Sequence, residues 1–478
     1  MGLGRVSLTS TLALALAACG GGGGDSQPGA GPIAGGGGGG TPTPSQCSVR
    51  DRQDWSLAVL NEWYLFPDLL DTSVNPAGFS DVQSYLDALV APARAEDKDR
   101  GFTFITSASE EDALINSGSS AGFGVRLGYD QVNNRVFVIE AYENAPGLTA
   151  GLDRGTELLA IGTSSSNTQT VSSLMASGGP GAVINALGPS DPGVTRYIEF
   201  RSAAGTLGGE SIVKADFALD PVSDRYGVRI IDDGGKKVGY LNLRTFIVGS
   251  ADADLREAFQ TFKDQGVTEL IIDFRYNGGG LVRIADLMGD LMGAGNVGQI
   301  WSKTVLRDSK SNENSTTPIT SAAQSIAPTK VAFIGRGGTA SASELVINSM
   351  LPYLGNNIAL IGTNTFGKPV GQFGFDRDVC DDRLRAVTFK TVNANDEGEY
   401  FGGLAGVVPN TCRANDDIFT QLGDPAEASI ATALDFLAGR SCTAISGGDL
   451  RSAQSTVGRE LLQPVRPNAA QYQIPGLF

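Results

Sequence analysis

From Lys237 onward, short apolar runs alternate with segments of helical periodicity, and this alternation restricts the possible folds more than any other feature of the sequence. Residues 238–246 and 270–274 have the composition of strands, and Ser250 between them can cap a helix. Helical spacing follows each of these two runs, first at Leu255, Phe259 and Phe262 and then at Leu281, Ile284, Leu287 and Leu291. Further on, a strand is predicted at 331–335, a helix from Ser341 and another strand at 358–362. It predicts an α/β domain over residues 217–440, with helices covering a sheet and loops at the strand ends.

The residues before this domain have two other patterns. Residues 47–112 are predicted to be helical because apolar residues recur at four-residue spacing, as at Trp55, Val59 and Trp63. Around Ser120 the period changes to the alternation typical of strands, with two apolar runs on either side of an Asn133-Asn134 turn. A strand-rich unit is therefore expected over residues 113–216.

Charge and composition exclude several classes of protein. Lys and Arg number 36 against 52 Asp and Glu, and the net charge of −16 argues against a general nucleic-acid binder or a basic membrane-surface protein. The chain contains no histidine, so Ser-His-Asp catalysis is excluded and the commonest metal ligand is missing. An activated serine in this chain needs another general base.

The first residues have the features of an export signal. Arg5 precedes a short apolar core that ends at Leu16 and is too short to span a bilayer as a helix. Leu16-Ala17-Ala18-Cys19 resembles the lipobox of bacterial lipoproteins, which implies that residues 1–19 contain the signal and that Cys19 is lipid-modified; a chance cysteine is the alternative. Asp does not follow Cys19, which by the same resemblance implies the outer membrane, facing the periplasm or the exterior. Residues 20–46, rich in Gly, Pro, Ser and Thr, are expected to be a flexible linker.

Four more cysteines follow the linker, at Cys47, Cys380, Cys412 and Cys442. An even number in an exported chain is consistent with two disulfides, which have three possible connectivities. We expect Cys380 to pair with Cys412, because they flank one local segment, and Cys47 to pair with Cys442. Free buried thiols are the alternative, and the spacing does not favour a metal site.

The strand-rich unit contains an ordered series of short motifs. They are Gly122-Phe123-Gly124-Val125, Ala145-Pro146-Gly147, Ala150-Gly151-Leu152 and an apolar run at 158–162, followed by a helix near 171–175 and a strand at 196–201. This series resembles a PDZ domain of the bacterial protease type. The resemblance implies that Gly122, Phe123, Gly124 and Val125 bind the terminal carboxylate of a peptide, while the adjacent strand edge pairs with the extended peptide. A glycine hairpin is the structural alternative, and Gly155-Thr156 departs from the Gly-Asp often found in the family.

Three further motifs lie at or just beyond predicted strand ends in the α/β domain. They are residues 273–280 (DFRYNGGG), 338–344 (GTASASE) and 365–372 (TFGKPVGQ). In this order behind a PDZ-like unit, they resemble the carboxyl-terminal processing, or tail-specific, serine peptidases over most of residues 47–439. The resemblance implies a crotonase/ClpP-like catalytic core, substrates with free C-termini, and neither a cofactor nor a metal.

By the same resemblance, Ser341 is the nucleophile, Lys368 is the general base and Gln372 orients the lysine. Lysine in water has a pKa of about 10.4, so burial must lower that pKa before the amine can accept a proton near neutrality. Two positions along a helix point to nearly opposite sides, so Ser341 and Ser343 cannot both face the site. Ser341 and Glu344 also fit a capping box, a purely structural helix start that can coexist with catalysis.

Peptide cleavage also needs donors aimed at the developing oxyanion. The N–H of Ala342, at the start of a helix, is one candidate, and the resemblance implies Gly279 as the other. A tight turn is the structural alternative for residues 277–280, and Asp273 and Arg275 are expected to brace it. The sequence departs from the family at Pro369, in a slightly longer segment between Ser341 and Lys368, and at Leu351-Pro352-Tyr353.

Together these features predict an exported, lipid-anchored serine endopeptidase that recognises free C-termini and cuts near them. The expected partners are protein or peptide substrates, and a membrane reached only through the lipid anchor; nucleic acid is not expected, and no oligomeric state is indicated. Two alternatives stay open: a non-catalytic PDZ-type binding or scaffold lipoprotein, and a Ser-Lys amidase or esterase. No chemistry is predicted for residues 441–478.

Overall fold

The structure is a computed structural model that describes residues 47–446 and 459–478. The predicted signal sequence, Cys19 and the linker at 20–46 lie outside the described residues. The first described part is mainly helical. Its elements are α1 (Val49–Trp63), α2 (Val82–Leu89), α3 (Ala91–Ala95), β1 (Phe104–Ser107) and α4 (Ala108–Ser117).

The second part is strand-rich and covers residues 119–218; we call it the β unit. The expected boundary at residue 113 falls inside helix α4. This helix begins after Ser107, whose side chain caps it by accepting the N–H of Glu110 at 3.1 Å, and it ends at Ser117. The elements of the β unit are β2 (Ser119–Gly122), β3 (Val125–Asp130), β4 (Arg135–Ala141), α5 (Pro146–Thr149), β5 (Glu157–Ser164), β6 (Asn167–Thr170), α6 (Val171–Leu187), β7 (Thr195–Arg201), β8 (Leu207–Val213) and β9 (Ala215–Ala218).

The third part alternates strands and helices, as the sequence pattern predicts. Its elements are β10 (Val228–Asp233), β11 (Lys236–Asn242), α7 (Ala251–Asp264), β12 (Glu269–Asp273), α8 (Val282–Met292), β13 (Ile300–Leu306), β14 (Ser315–Pro318), β15 (Lys330–Gly335), α9 (Ala342–Leu354), β16 (Ile358–Gly362), β17 (Val370–Arg377), β18 (Asp382–Val392), β19 (Asn410–Arg413) and α10 (Ala428–Leu437). A tail segment, which we define as residues 459–478, adds β20 (Glu460–Leu461) and α11 (Ala469–Gln473).

The central sheet of the third part has six strands in the order β10-β11-β12-β15-β16-β19. Strands β11, β12, β15, β16 and β19 run parallel to their neighbours, and β10 is antiparallel to β11. Side chains from α7, α8 and α9 pack in one core with alternate strand residues such as Ile272 and Phe333. Residues of α10 pack on the other face with Ile271 and Ile334. Helices therefore cover both faces of a mostly parallel sheet, and the predicted mixed α/β architecture is confirmed.

Two other sheets position the regions discussed below. The long strand β18 pairs with β1, β13 and β17, which brings the helical first part against the third part. In the β unit, a seven-stranded sheet has the order β20-β3-β4-β5-β7-β8, with β6 paired to β5. Its outermost strand, β20, comes from the tail segment, so residues distant in sequence complete the sheet of the β unit.

The two disulfides differ from the expected pairing. Cys47 bonds to Cys380 and Cys412 bonds to Cys442, and each pair has its Cα atoms 5.4 Å apart. The expectation of Cys380 with Cys412 is wrong because it used proximity along the chain. In the fold, Cys380 follows β17 and lies beside the start of α1, whereas Cys412 lies on β19, next to the chain that leaves α10.

Candidate active site

The three sequence motifs come together because they follow three neighbouring strands. Strands β12, β15 and β16 lie side by side and run parallel, so the loops after their carboxyl ends emerge at one edge of the sheet. The first motif follows β12, the serine motif follows β15, and the lysine motif follows β16. Loops at this edge of an open α/β sheet commonly form a binding site.

Ser341 lies at the N-terminal end of α9 in an unusual backbone conformation. Its φ of 55° is in the region that residues with side chains rarely adopt. Its N–H donates to the Glu344 carboxylate at 3.1 Å, which is one half of the predicted capping box. A Cβ on Gly279 would lie 2.8 Å from Ser341 Cβ, so only glycine fits where the first motif passes the serine.

Glu344 connects the serine motif to the lysine motif. Besides the N–H of Ser341, its carboxylate accepts the N–H of Gly367 and the N–H of Lys368, each at 2.7 Å, and the hydroxyl of Thr365. The residue is fully buried, and burial raises its pKa. The four donors hold the two loops at fixed positions around one side chain. The sequence indicated the capping role of Glu344 but not this second role.

The two serines of the motif have different surroundings. Ser343 is fully buried, and its hydroxyl donates to the carbonyl oxygen of Asn277 at 3.1 Å. Ser341 is partly exposed. Ser343 therefore fastens α9 to the first motif, and Ser341 is the serine that a substrate could reach.

Lys368 lies in the loop between β16 and β17, four residues before Gln372 on β17. Its ammonium donates to Gln372 Oε1 at 2.7 Å. The amide nitrogen of Gln372 donates to the carbonyl oxygen of Phe102, which leaves the amide oxygen to face the lysine. Burial lowers the pKa of Lys368 to about 8. At pH 7 about one-tenth of such lysines is uncharged and able to accept a proton.

The helical first part supplies surroundings of Lys368 that sequence reasoning missed. The ammonium lies 4.9 Å from the centre of the Phe102 ring. Asp99 is fully buried and fixes this segment by accepting the N–H of Phe102 at 2.8 Å and the N–H of Thr103 at 3.0 Å. Arg100 donates to the carbonyl oxygens of Phe366 and Gly367, directly before Lys368. The sequence gives no local sign of the contacts that Arg100 and Phe102 make with residues 366–368, more than 260 positions away.

The turn formed by the first motif is braced as predicted. Arg275 is buried, contacts Asp273 at 2.9 Å, and donates to both carboxylate oxygens of Glu427 at 2.8 Å. The following residue, Tyr276, has a φ of 65°, and its carbonyl oxygen accepts from Arg126 of β3 at 2.7 Å. The turn is thus attached both to the third part and to the β unit.

The two expected oxyanion donors lie close together. A Cβ on Gly279 would lie 2.9 Å from the amide nitrogen of Ala342. Ala342 is the first residue of α9, where backbone N–H groups have no acceptor within the helix. The N–H of Gly279, however, donates to Asn277 Oδ1 at 2.9 Å. Among the described residues, no hydrogen bond joins Ser341 to Lys368. The structure therefore brings Ser341 and Lys368 to the same edge of the sheet without a direct hydrogen bond between them.

A cavity of about 510 Å³ opens beside these groups. Lys368, Ala340 and Phe102 line one part of it, and Tyr472 and Pro475 of the tail segment line another. The tail segment thus forms a wall of the cavity, although the sequence predicted no chemistry there.

The expected carboxylate-binding loop, Gly122 to Val125, is in contact with the tail segment. The N–H of Val125 donates to the carbonyl oxygen of Phe478 at 3.2 Å, and the N–H of Phe478 donates to the carbonyl oxygen of Val125 at 2.9 Å.

In the described part of the chain, no group of three or more Cys, Asp or Glu residues is arranged to hold a metal. Nor does any helix of these residues have the length and apolar character needed to cross a bilayer.

Comparison with known proteins identifies the third part. The sequence profile of peptidase family S41 matches residues 237–411. These residues, which include the candidate site, are therefore similar to the S41 peptidases. A carboxyl-terminal-processing protease from Synechocystis sp. is 23% identical over 332 residues, which cover 68% of this chain and 70% of that protein. Chloroplastic carboxyl-terminal-processing peptidase 3 of Arabidopsis thaliana is 26% identical over 260 residues, or 53% of this chain, and the match covers less than half, 46%, of that protein.

A solved structure extends this likeness to the fold of most of the chain. The crystal structure of a Bacteroides fragilis protein assigned to the S41 proteases has a TM-score of 0.62 at 22% identity, covering 80% of this chain and 97% of that one. From the sequence matches above, the chain is a serine-type peptidase homologous to the carboxyl-terminal-processing proteases. The residues that match the S41 profile include Gly279, Ser341, Lys368 and Gln372, whereas Phe102 and the tail segment lie outside them.

Proposed function

We propose that this chain is a serine endopeptidase in which Ser341 attacks the peptide, Lys368 takes the serine proton, and Gln372 holds the lysine. One observation carries this proposal: Lys368 is a lysine with a pKa lowered to about 8, fixed to Gln372 at 2.7 Å and tied through Glu344 to the backbone of Ser341. In a chain without histidine, a neutral lysine is the base that the site offers.

In the proposed reaction, Ser341 Oγ bonds to the scissile carbonyl carbon as its proton passes to Lys368 Nζ. The carbonyl oxygen becomes an oxyanion, and the N–H groups of Ala342 and Gly279 stabilise it once the latter leaves Asn277 Oδ1. Collapse of this intermediate breaks the peptide bond, and Lys368 returns the proton to the leaving amine. Water then hydrolyses the acyl-enzyme with Lys368 again as the base.

We further propose that the β unit is a PDZ-like domain that selects free C-termini, and that the six-stranded sheet with its helices is a crotonase/ClpP-like core. Gly122 supports the first proposal: its φ is 153°, and a Cβ there would lie 2.7 Å from the carbonyl carbon of Phe478, so glycine lets an extended chain approach this loop. An export signal and a lipid on Cys19, anchoring the enzyme in the outer membrane, complete the proposal. Loss of fatty-acid incorporation in Cys19→Ser tests the anchor.

The catalytic proposal is tested with an unstructured protein substrate and two serine variants. Ser341→Ala should lower kcat by at least about 1000-fold, since the nucleophile is removed. Ser349→Ala is the matched control on the same helix: among the described residues its buried hydroxyl has no hydrogen-bond partner, so this variant should keep normal activity. Normal turnover by Ser341→Ala would refute the assignment.

A peptide offered with a free or an amidated carboxyl end tests recognition. Cleavage with a preference for the free end supports the proposal, binding without cleavage supports a scaffold, and indifference to the carboxyl end supports an amidase or esterase.

A further inference from the structure

We propose that the tail segment is an intramolecular ligand of the β unit and that a substrate must displace it to bind and be cut. This inference rests on the proposed function of the β unit as the peptide-recognition domain. It assigns to residues 459–478 a role in controlling access to Ser341.

The tail segment covers the edge of β3 in the manner of an added strand. Gly476 to Phe478 pair antiparallel with Val125 to Leu127: the N–H of Leu127 donates to the carbonyl oxygen of Gly476 at 2.8 Å, and Val125 and Phe478 exchange two bonds. Further along the same edge, Glu460 and Leu461 pair with residues 129 and 128 of β3. Backbone pairing along a sheet edge is how extended peptides bind such domains. A second peptide cannot use this edge while the tail segment holds it.

The apolar end of the tail segment is buried in the β unit. Phe478 is 2% exposed and belongs to the core that contains Phe123 and Val125. A Cβ on Gly122 would lie 2.7 Å from the carbonyl carbon of Phe478, so glycine at this position lets the chain approach the loop. Leu477, also 2% exposed, packs with a neighbouring apolar cluster. The surface therefore accepts an aliphatic residue followed by an aromatic one.

The tail segment also contacts the first motif and the serine motif of the candidate active site. A Cβ on Gly278, in the first motif, would lie 3.2 Å from Pro475 Cδ. A Cβ on Gly338, in the serine motif, would lie 3.1 Å from Leu461 Cδ1. Tyr472 stacks on Phe104 with ring centres 3.9 Å apart, which fixes the tail segment to β1.

These contacts make the tail segment and a substrate mutually exclusive. A substrate held on β3 in the register of Gly476 to Phe478 must send its preceding residues past Gly278 and Gly338 to reach Ser341. Gln463, Pro467, Tyr472 and Pro475 of the tail segment lie along the wall of the 510 Å³ cavity that also contains Gly278 and Gly338 in its lining. The ligand class that competes best is an extended peptide that places an aliphatic–aromatic pair such as Leu-Phe at the positions of Leu477 and Phe478.

The test measures peptide binding in the Ser341→Ala background, so that it does not depend on turnover. The probe is a fluorescein-labelled octapeptide with the sequence of residues 471–478, titrated by anisotropy against the full chain. Two variants release the tail segment without changing β3. Phe478→Asp places a charge in the apolar core, and Gly476→Val puts a side chain at a φ of 85°, where its Cβ lies 3.1 Å from Leu127 O. Val465→Ser is the control in the same segment, at a side chain that is 99% exposed.

Both releasing variants should bind the probe at least about tenfold more tightly than the parent, because the tail segment leaves the edge of β3 free in a larger fraction of molecules. Val465→Ser should bind the probe as the parent does. Equal affinity in all four proteins, that is the parent, the two releasing variants and the control, would refute the proposal that the tail segment competes with substrate. It would not contradict peptide recognition by the β unit. Absence of binding in all four chains would refute peptide recognition itself, and the tail inference with it.

Hydrogen exchange on the parent chain covers the case in which a releasing variant does not fold. Saturating probe should accelerate exchange of the amides in residues 476–478. Unchanged exchange would mean that the tail segment is a fixed part of the fold, which contradicts the proposal.

Discussion

Glu344→Gln removes the charge that joins the serine and lysine loops while keeping the size of the side chain. Glu344 Oε2 accepts the N–H of Ser341 and of Lys368, and Oε1 accepts the N–H of Gly367 and the hydroxyl of Thr365. In glutamine one of these two oxygens becomes an NH₂ group, which donates. With the NH₂ on the side of Ser341, two backbone donors lose their acceptor. With the NH₂ on the other side, the Thr365 hydroxyl can turn to accept, and only Gly367 loses its partner.

The second orientation loses fewer hydrogen bonds, so it determines the expected loss of stability. One buried donor without a partner costs about 1–3 kcal/mol, and the remaining bonds weaken when their acceptor loses its charge. Burial raises the pKa of Glu344, so part of this cost is offset when a buried charge is removed. We therefore expect the free energy of unfolding to fall by about 1–3 kcal/mol. A shift of about 1 Å between the two loops would also lower kcat by roughly 100-fold, with a smaller change in KM.

Urea denaturation followed by tryptophan fluorescence, together with steady-state kinetics, checks both numbers. Glu210→Gln is the matched control, because Glu210 is exposed on β8 and the same exchange there should change neither value. A Glu344→Gln enzyme with unfolding free energy within about 0.5 kcal/mol of the parent and normal kcat would refute the idea that this carboxylate holds the site together.

Two further predictions concern the base and the oxyanion turn. Because the pKa of Lys368 is lowered to about 8, its neutral fraction is about one-tenth at pH 7 and rises through one-half near pH 8, so kcat should rise over pH 7–9. A rate independent of pH across this range would contradict that role. Gly279→Ala should lower kcat by roughly 100-fold or more, since the new Cβ lies 2.8 Å from Ser341 Cβ at a φ of 101°. Gly78→Ala, where a Cβ meets no atom within 4 Å, is the control, and equal loss in both variants would count against the argument.

The alternation of apolar runs predicted the mixed α/β fold because the periodicity of each element is a local property. Residues 270–272 and 331–335 are apolar throughout, which is typical of parallel strands covered on both faces, and they lie in β12 and β15. Once these strands are parallel neighbours, the motifs that follow them must emerge at one edge. The sequence could therefore predict the meeting of the first, serine and lysine motifs.

The sequence could not predict contacts that depend on how distant segments pack. The pairing of Cys47 with Cys380 depends on α1 lying against the turn after β17, and separation along the chain gave the wrong partner. The lowered pKa of Lys368 depends on burial, which Phe102 and its segment help to provide. Neither feature has a local signature, because each arises from surfaces that meet only after folding.

The amino-acid sequence by itself determined which residues can carry the chemistry: a serine at a strand-to-helix turn, a lysine and glutamine four residues apart, and no histidine. Only the tertiary structure decided how accessible that chemistry is. It brings the tail segment back across more than 300 residues of chain to pair with β3 and cover Gly278. Hydrogen bonding along a strand edge depends on backbone geometry more than on side-chain identity, so the sequence of residues 459–478 did not indicate their partner.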